Sequence, residues 1–265
     1  MIYVLSDIHG NLRRFNSILE QIHLQPEDTL YILGDVIDRH PYGIQILCRI
    51  MEMPNVKMLL GNHEDLMMRA LGSPYDTDEL VNDSIIENAL RRWYQDEGQV
   101  THEYWKRLDK EQQRAILDYL HSLPLNIDVT VNGKDYKLVH GAPLEMYGGK
   151  YRKQFCDAMQ FALYKRLELS EGLPGDCTVI FGHNPTLDYS DACPMRIVQS
   201  DDRIAIDCGS AAPEVPSFGN IHLYGRLGCL RLDDMKEFYS EEKHREGDVE
   251  CCQKTIRYRK VYCWS

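Results

Sequence analysis

The nine cysteines of this 265-residue chain include no Cys-x-x-Cys pair, and their number is odd. That lack argues against a zinc ribbon or a thioredoxin-type motif and points to free thiols in a reducing cytoplasm. No run of about 18 apolar residues occurs, so no membrane-spanning helix is expected. The opening stretch from Met1 reaches an acid at Asp7. A signal peptide needs a basic start and a longer apolar stretch, and none is expected here. Positive charge is also short, with 30 Lys and Arg against 41 Asp and Glu and a net charge of -11 at pH 7. Such an excess repels nucleic-acid backbones and anionic membranes, so neither is expected as a partner. Internal repeats and low-complexity linkers are absent too, and one continuous domain over 1–265 is the simplest account.

What is present is ordinary globular material with a strong local pattern. Apolar residues make up 43% of the chain, enough for a sizeable core. In the first third, short apolar runs end in small polar clusters and are followed by helix-periodic segments. Ile2 to Leu5 runs into Ser6-Asp7-Ile8-His9, and Leu12, Phe15, Ile18, Leu19 and Ile22 then repeat as one helix face. Thr29 to Leu33 ends at Gly34-Asp35, and a helix follows around Ile44, Leu47 and Ile50. Val56 to Leu60 ends at Gly61-Asn62-His63-Glu64. This βαβαβ alternation predicts an α/β sheet. The polar clusters all follow strands, and ligands of open α/β sheets bind at strand carboxyl ends.

From about 73 to 123 the chain reads as a helical insertion carrying Trp93, Tyr94, Tyr104 and Trp105. It is equally a packed subdomain and a cap over the rim. Strands return with Ile127 to Val131 and Tyr136 to Val139, a hairpin about Asn132-Gly133 that ends at His140. Thr178 to Phe181 ends at Gly182-His183, and Arg203 to Ile206 and Gly228 to Leu232 are further strands. A charged tail runs from about 233 to 265, with Thr255 to Tyr262 alternating as an edge strand would.

The strand ends therefore carry carboxylates (Asp7, Asp35), an amide (Asn62) and imidazoles (His9, His63, His140, His183). Mixed oxygen and nitrogen ligands suit Mn, Fe or Zn better than Mg or Ca. Singly, each residue is explained as well by capping or by an ordinary hydrogen bond. Together, Asp7-x-His9, Gly34-Asp35-x-x-Asp38-Arg39 and Gly61-Asn62-His63-Glu64, with His140 and His183 downstream, resemble the calcineurin-like metallophosphoesterases. Within them, the motifs are similar to those of the phosphoprotein phosphatase branch. Trp93 with Glu97-Gly98 and Ser122-Leu123-Pro124-Leu125 look like its bacterial members, small protein phosphatases and symmetrical diadenosine tetraphosphatases.

That resemblance implies a four-layer sandwich of two mixed β-sheets flanked by helices. It implies two divalent metal ions, Mn first, with Fe or Zn as alternatives. Asp7, His9 and Asp35 would hold one ion, and Asp35, Asn62, His140 and His183 the other. A metal-bridging hydroxide would attack the phosphorus directly. Arg39 would bind phosphoryl oxygens, and His63, oriented by Asp38, would protonate the leaving group. Asn62 would also lie against the substrate phosphate. Arg166 is the candidate for a second phosphate-binding arginine, with Arg152 as competitor, and Glu64 would support the ligands. The substrate would be a phosphorylated protein or a small phosphate ester or nucleotide. Phosphomonoester hydrolysis leads, symmetrical dinucleoside polyphosphate hydrolysis follows, and a non-catalytic binding module comes last. Leu60 stands where eukaryotic members carry arginine, and His140-Gly141-Ala142 replaces the usual His-Ala-Gly.

Overall fold

In a computed structural model, residues 1–72, 83–173, 175–212 and 224–240 are described. Two five-stranded sheets form the centre of the molecule. The first contains β1 (Ile2–Leu5), β2 (Thr29–Ile32) and β3 (Val56–Met58), all parallel, and is extended on the β1 side by β9 (Gly228–Arg231) and β10 (Lys236–Tyr239). The second contains β4 (Asn126–Val131), β5 (Lys134–Val139), β6 (Thr178–Phe181), β8 (Arg203–Ala205) and β7 (Val198–Gln199), in that order. Within it β5, β6 and β8 are parallel.

Strand alternation explains the layering, because successive side chains point to opposite faces. In β1, Tyr3 and Leu5 enter a core with α1 (Leu12–Ile22) and α2 (Gly43–Met51), whereas Val4 faces the other sheet. Leu30 and Ile32 divide from Tyr31 and Leu33 in the same way. In the second sheet, Tyr136, Leu138, Ile180 and Ile204 meet Val4, Tyr31 and Leu230 between the sheets. Their neighbours Val139, Val179, Phe181 and Ala205 pack outward with Phe161 of α7 (Ala158–Tyr164). The result is helix, sheet, sheet, helix: the four-layer sandwich expected from the sequence.

Remaining helices are α3 (Asn62–Leu71), α4 (Asp83–Gln95), α5 (Gln99–Trp105) and α6 (Lys110–Ser122). The last three form the insertion, and Trp93, Trp105, Ile116 and Leu120 join the helix-side core of the first sheet. The sheet also extends into the start of the charged tail, since Lys236–Tyr239 pairs with β9 as an edge strand. The expected strand over Thr255 to Tyr262 and the first part of the insertion, 73–82, lie outside the described residues. No helix among the described residues is long and apolar enough to cross a membrane.

One buried arginine ties α1 to the rim. Arg14 has no exposed surface, and its guanidinium donates to the carbonyls of Gly209, Ser210, Ala212 and Gly225. The Ser210 hydroxyl in turn donates to the Ile8 carbonyl at 3.1 Å, so the 209–212 turn is held against the β1 end. Arg14→Met keeps the aliphatic stem but strands these carbonyls. We expect a loss of about 3 kcal/mol in urea unfolding, since buried unsatisfied groups cost roughly 1–3 kcal/mol each and partial relaxation recovers some of it.

Candidate metal centre

The carboxyl ends of β1, β2, β3, β5 and β6 converge on one rim between the two sheets. Their loops are stitched together through the backbone. Asp7 N–H donates to Gly34 O, His9 N–H to Asp35 O and Gly182 N–H to His140 O. The local conformation is costly. Among the described residues, ten non-glycine positions have positive φ, and six of them are Asp7, His9, Asp35, Asp38, Arg39 and His183. Left-handed backbone in side-chain-bearing residues costs of order 1–3 kcal/mol each and persists where surrounding contacts over-determine it. Here it turns six chemically active side chains back toward a common centre.

Asp35 is that centre. Its Oδ1 lies 3.5 Å from His140 Nε2, and its Oδ2 lies 3.8 Å from His9 Nε2 and 3.9 Å from His63 Nε2. Two clusters of donor atoms share it: His9, Asp35 and His63, and Asp35, His140 and His183. Asp7 joins the first side, its Oδ1 3.8 Å from His9 Nε2. Its Oδ2 is occupied by the His183 N–H at 3.0 Å and by the Ser6 hydroxyl. Asn62 opens α3, and its Oδ1 lies 2.9 Å from both His140 Nε2 and His183 Nδ1.

The tautomers favour a cation. His140 Nδ1 donates to the Leu33 carbonyl at 2.7 Å and His9 Nδ1 to the Ile37 carbonyl at 3.2 Å. Each Nε2 then carries a lone pair and points at Asp35. Second-partner hydrogen bonds of this kind orient metal-binding histidines. A lone pair of His140 facing Asn62 Oδ1 at 2.9 Å, beside a carboxylate, is an arrangement of acceptors that a positive ion resolves. Burial pulls the pKa of His9 and His140 down, and that of His183 to about 3, so all three offer neutral imidazoles. The donor set therefore fits a divalent transition metal, and these residues form candidate metal-ligand groups.

His63 sits differently, although its Nε2 also falls within the first cluster. Its Nδ1 bonds Asp38 Oδ2 at 2.8 Å, and its Nε2 faces the Arg39 guanidinium at 3.4 Å. A guanidinium that close competes with a divalent metal ion for the same nitrogen. Burial acts to lower the His63 pKa, but the Asp35 and Asp38 carboxylates outweigh it and hold it above the usual imidazole value. Arg39 itself is exposed at the mouth of the site.

Glu64 lies beneath. It has no exposed surface, and it accepts the N–H groups of Asp35 at 2.9 Å, Val36 at 2.8 Å, Ile37 at 3.3 Å and Gly61 at 3.1 Å. Gly61 is needed for this approach, since a Cβ there would stand 2.2 Å from Asp35 Oδ1 and 2.6 Å from Glu64 Oε2. Burial, with Asp35 adding to it, raises the Glu64 pKa to about 7, while the N–H donors of Val36 and Asp35 oppose the rise.

Asp7, His9, Asp35, Asp38, Asn62, His63, His140 and His183 all come together on this rim, with Arg39 beside His63. Arg166 is exposed, 3.7 Å from Asp188, and near enough to His183 that its charge helps lower that pKa. Arg152 instead holds its guanidinium over the Tyr147 ring at 5.9 Å. Two contributors escaped the sequence reading. Asp207 follows β8, is buried, and interacts electrostatically with Asp7, Asp35 and Arg39; burial raises its pKa to about 6. The strand-end rule that found the others applies to it equally. Trp93 reaches the site from α4, donating its indole N–H to Asp38 Oδ2 at 2.8 Å.

Comparison with known proteins agrees with this architecture. Symmetrical bis(5'-nucleosyl)-tetraphosphatases of Yersinia pestis and Yersinia pseudotuberculosis are 33% identical over 98 residues, covering 30% of this chain and 34% of theirs. The chain thus matches about a third of the length of these curated relatives. A crystal structure of a metallophosphoesterase from Sphaerobacter thermophilus superposes with a TM-score of 0.50 at 15% identity, covering 96% of this chain and 92% of that one. Likeness at that identity speaks to the fold alone. The calcineurin-like phosphoesterase family pattern matches residues 1–206, most of the chain, including the carboxyl ends of β1, β2, β3, β5 and β6. With that span and the converging rim, this chain belongs to the calcineurin-like phosphoesterase family.

Proposed function

We propose that this chain is a metal-dependent phosphoric ester hydrolase acting on phosphomonoesters, with phosphoserine and phosphothreonine as candidate substrates. The observation that carries the reading is the buried donor set around Asp35, with Asp7 and His9 on one side and Asn62, His140 and His183 on the other, beside a His63 whose Nδ1 is held by Asp38. Asp7, His9 and Asp35 would hold one ion, and Asp35, Asn62, His140 and His183 a second, manganese being the first candidate. Such ions supply Lewis acidity toward phosphoryl oxygens and generate a nucleophile from water at neutral pH.

The chain's own side chains do the rest. Arg39, exposed at the mouth, offers a planar fork for two phosphoryl oxygens. Arg166, on the His183 side, would take a further oxygen or the next phosphate. His63 carries the proton for the leaving oxygen on Nε2, while Asp38 grips Nδ1 and sustains the imidazolium. Proton donation of this kind contributes about 10²–10⁴-fold. The Yersinia relatives favour a second reading, hydrolysis of a symmetrical dinucleoside tetraphosphate in the same centre.

The test is turnover of a phosphoserine peptide, p-nitrophenyl phosphate and diadenosine tetraphosphate, with Mn²⁺ and with chelator. Chelation should abolish every activity, and the best substrate decides between the readings. Absence of turnover on all three with metal bound would overturn both. Because the protonated His63 is the competent form, turnover of the peptide should fall as pH rises through its pKa. His63→Asn should lose this alkaline limb.

A further inference from the structure

Asp38 has no exposed surface, and its Oδ2 accepts two hydrogen bonds, from His63 Nδ1 at 2.8 Å and from Trp93 Nε1 at 2.8 Å. Its Oδ1 is buried and finds no partner among the described residues. The rotation of this carboxylate therefore depends on those two donors. His63 is the one that must move a proton, which leaves Trp93 as the fixed one. The indole is itself clamped. It is fully buried, with the His102 ring 5.5 Å from its own, and His102 Nδ1 is bonded to the Tyr94 hydroxyl at 2.6 Å. On its other edge lies Gly98, where a Cβ would come within 2.3 Å of Nε1. The same segment grips the backbone of the catalytic loop. Asp38 N–H donates to Thr101 Oγ1 at 3.0 Å, and Arg39 N–H to Glu97 O at 3.3 Å. Both Asp38 and Arg39 have positive φ, so the loop's unusual path is held from outside by the insertion.

We propose that Trp93 is a positioning residue for proton transfer: its indole N–H, seated on Gly98, fixes the Asp38 carboxylate and through it aims the His63 imidazole at the leaving oxygen. The proposal rests on the reading of His63 as proton donor. An indole suits the task because it is a neutral donor with no acceptor function. It stabilises the carboxylate without competing for the imidazole proton. The insertion is thereby part of the catalytic apparatus and more than a neighbouring subdomain.

A leaving-group comparison tests this. p-Nitrophenolate departs without a proton, whereas the serine alkoxide of a phosphopeptide needs one. His63→Asn should lose about 10²–10⁴-fold in kcat on the peptide and far less on p-nitrophenyl phosphate. Trp93→Phe, which keeps the bulk and removes the N–H, should follow the same pattern at roughly 10–100-fold, as supporting partners of site residues do. KM and bound metal should be unchanged. The double variant should be no slower than His63→Asn, because residues acting as one unit are not additive. Gly98→Ala gives an independent check: it retains the indole but pushes Nε1 from Asp38, and the same discrimination between substrates is expected. In the metal-free protein, the low-field proton resonance of His63 Nδ1 should weaken or shift in Trp93→Phe. Equal losses on both substrates, or losses that multiply in the double variant, would overturn the role of Trp93 while leaving His63 in place. If His63→Asn itself fails to discriminate between the substrates, the proton-donor reading falls and the Trp93 proposal falls with it.

Discussion

Asp35→Asn should empty both halves of the centre at once and reduce turnover by well over about 100-fold, the upper range seen when merely supporting partners of metal ligands are removed. The asymmetry of this residue is the reason. It is the one carboxylate common to both donor clusters, with imidazole nitrogens 3.5 to 3.9 Å from its two oxygens. Burial works to raise its pKa, but the surrounding histidines hold it below the usual carboxylate range, so it is ionised at all working pH values. Asparagine keeps the shape and the oxygen that accepts the His63 N–H at 3.0 Å. It removes the charge and turns an amide donor toward lone pairs. Metal content measured on the purified variant, beside calorimetric titration with Mn²⁺, would report the loss, and thermal unfolding of the metal-free protein should be close to wild type. Retention of two ions with normal turnover would remove Asp35 from the bridging position.

Glu64 carries the largest expected effect on stability. Four backbone N–H groups from two loops end on its carboxylate, which has no exposed surface. Loss of one acceptor for a buried donor costs roughly 1–3 kcal/mol. Glu64→Ala should therefore cost at least about 4 kcal/mol, even with some water entering, and a domain stable by only about 5–15 kcal/mol will be close to unfolded. Glu64→Gln keeps the volume but offers one acceptor oxygen, and its amide N–H groups would face other N–H groups. We expect about 2–3 kcal/mol for it in urea unfolding. Metal affinity should weaken in parallel, since the same N–H groups hold Asp35 and Gly61 in place. A Glu64→Ala protein within 1 kcal/mol of wild type, where ordinary surface substitutions fall, would mean that water replaces the carboxylate fully.

Legibility in the sequence followed the range of the interactions. Leu12–Ile22 and Thr178–Phe181 have the boundaries their periodicity predicts, because burial of one face is a local property of the pattern. The two-residue β7 and the short α7 carry too few residues to show a period, and Lys236–Tyr239 reads as charged because an edge strand keeps one side in water. The candidate metal-ligand set could be found because each member follows a strand and several follow a glycine. Asp207 obeys the same rule and was passed over only for want of a matching motif. Trp93 could not have been given its role, since its partner Asp38 lies 55 positions away in the chain.

The sequence by itself determined the α/β class, the strand ends that carry chemistry and the family, because these depend on periodicity and on residue order. Tertiary structure alone decided two further matters: that Glu64 gathers four N–H groups, and that the insertion reaches Asp38. Each of these depends on distances between side chains far apart in the chain. Those distances follow from how two twisted sheets pack and from the left-handed turns at their rims, neither of which leaves a periodic trace in the order of residues.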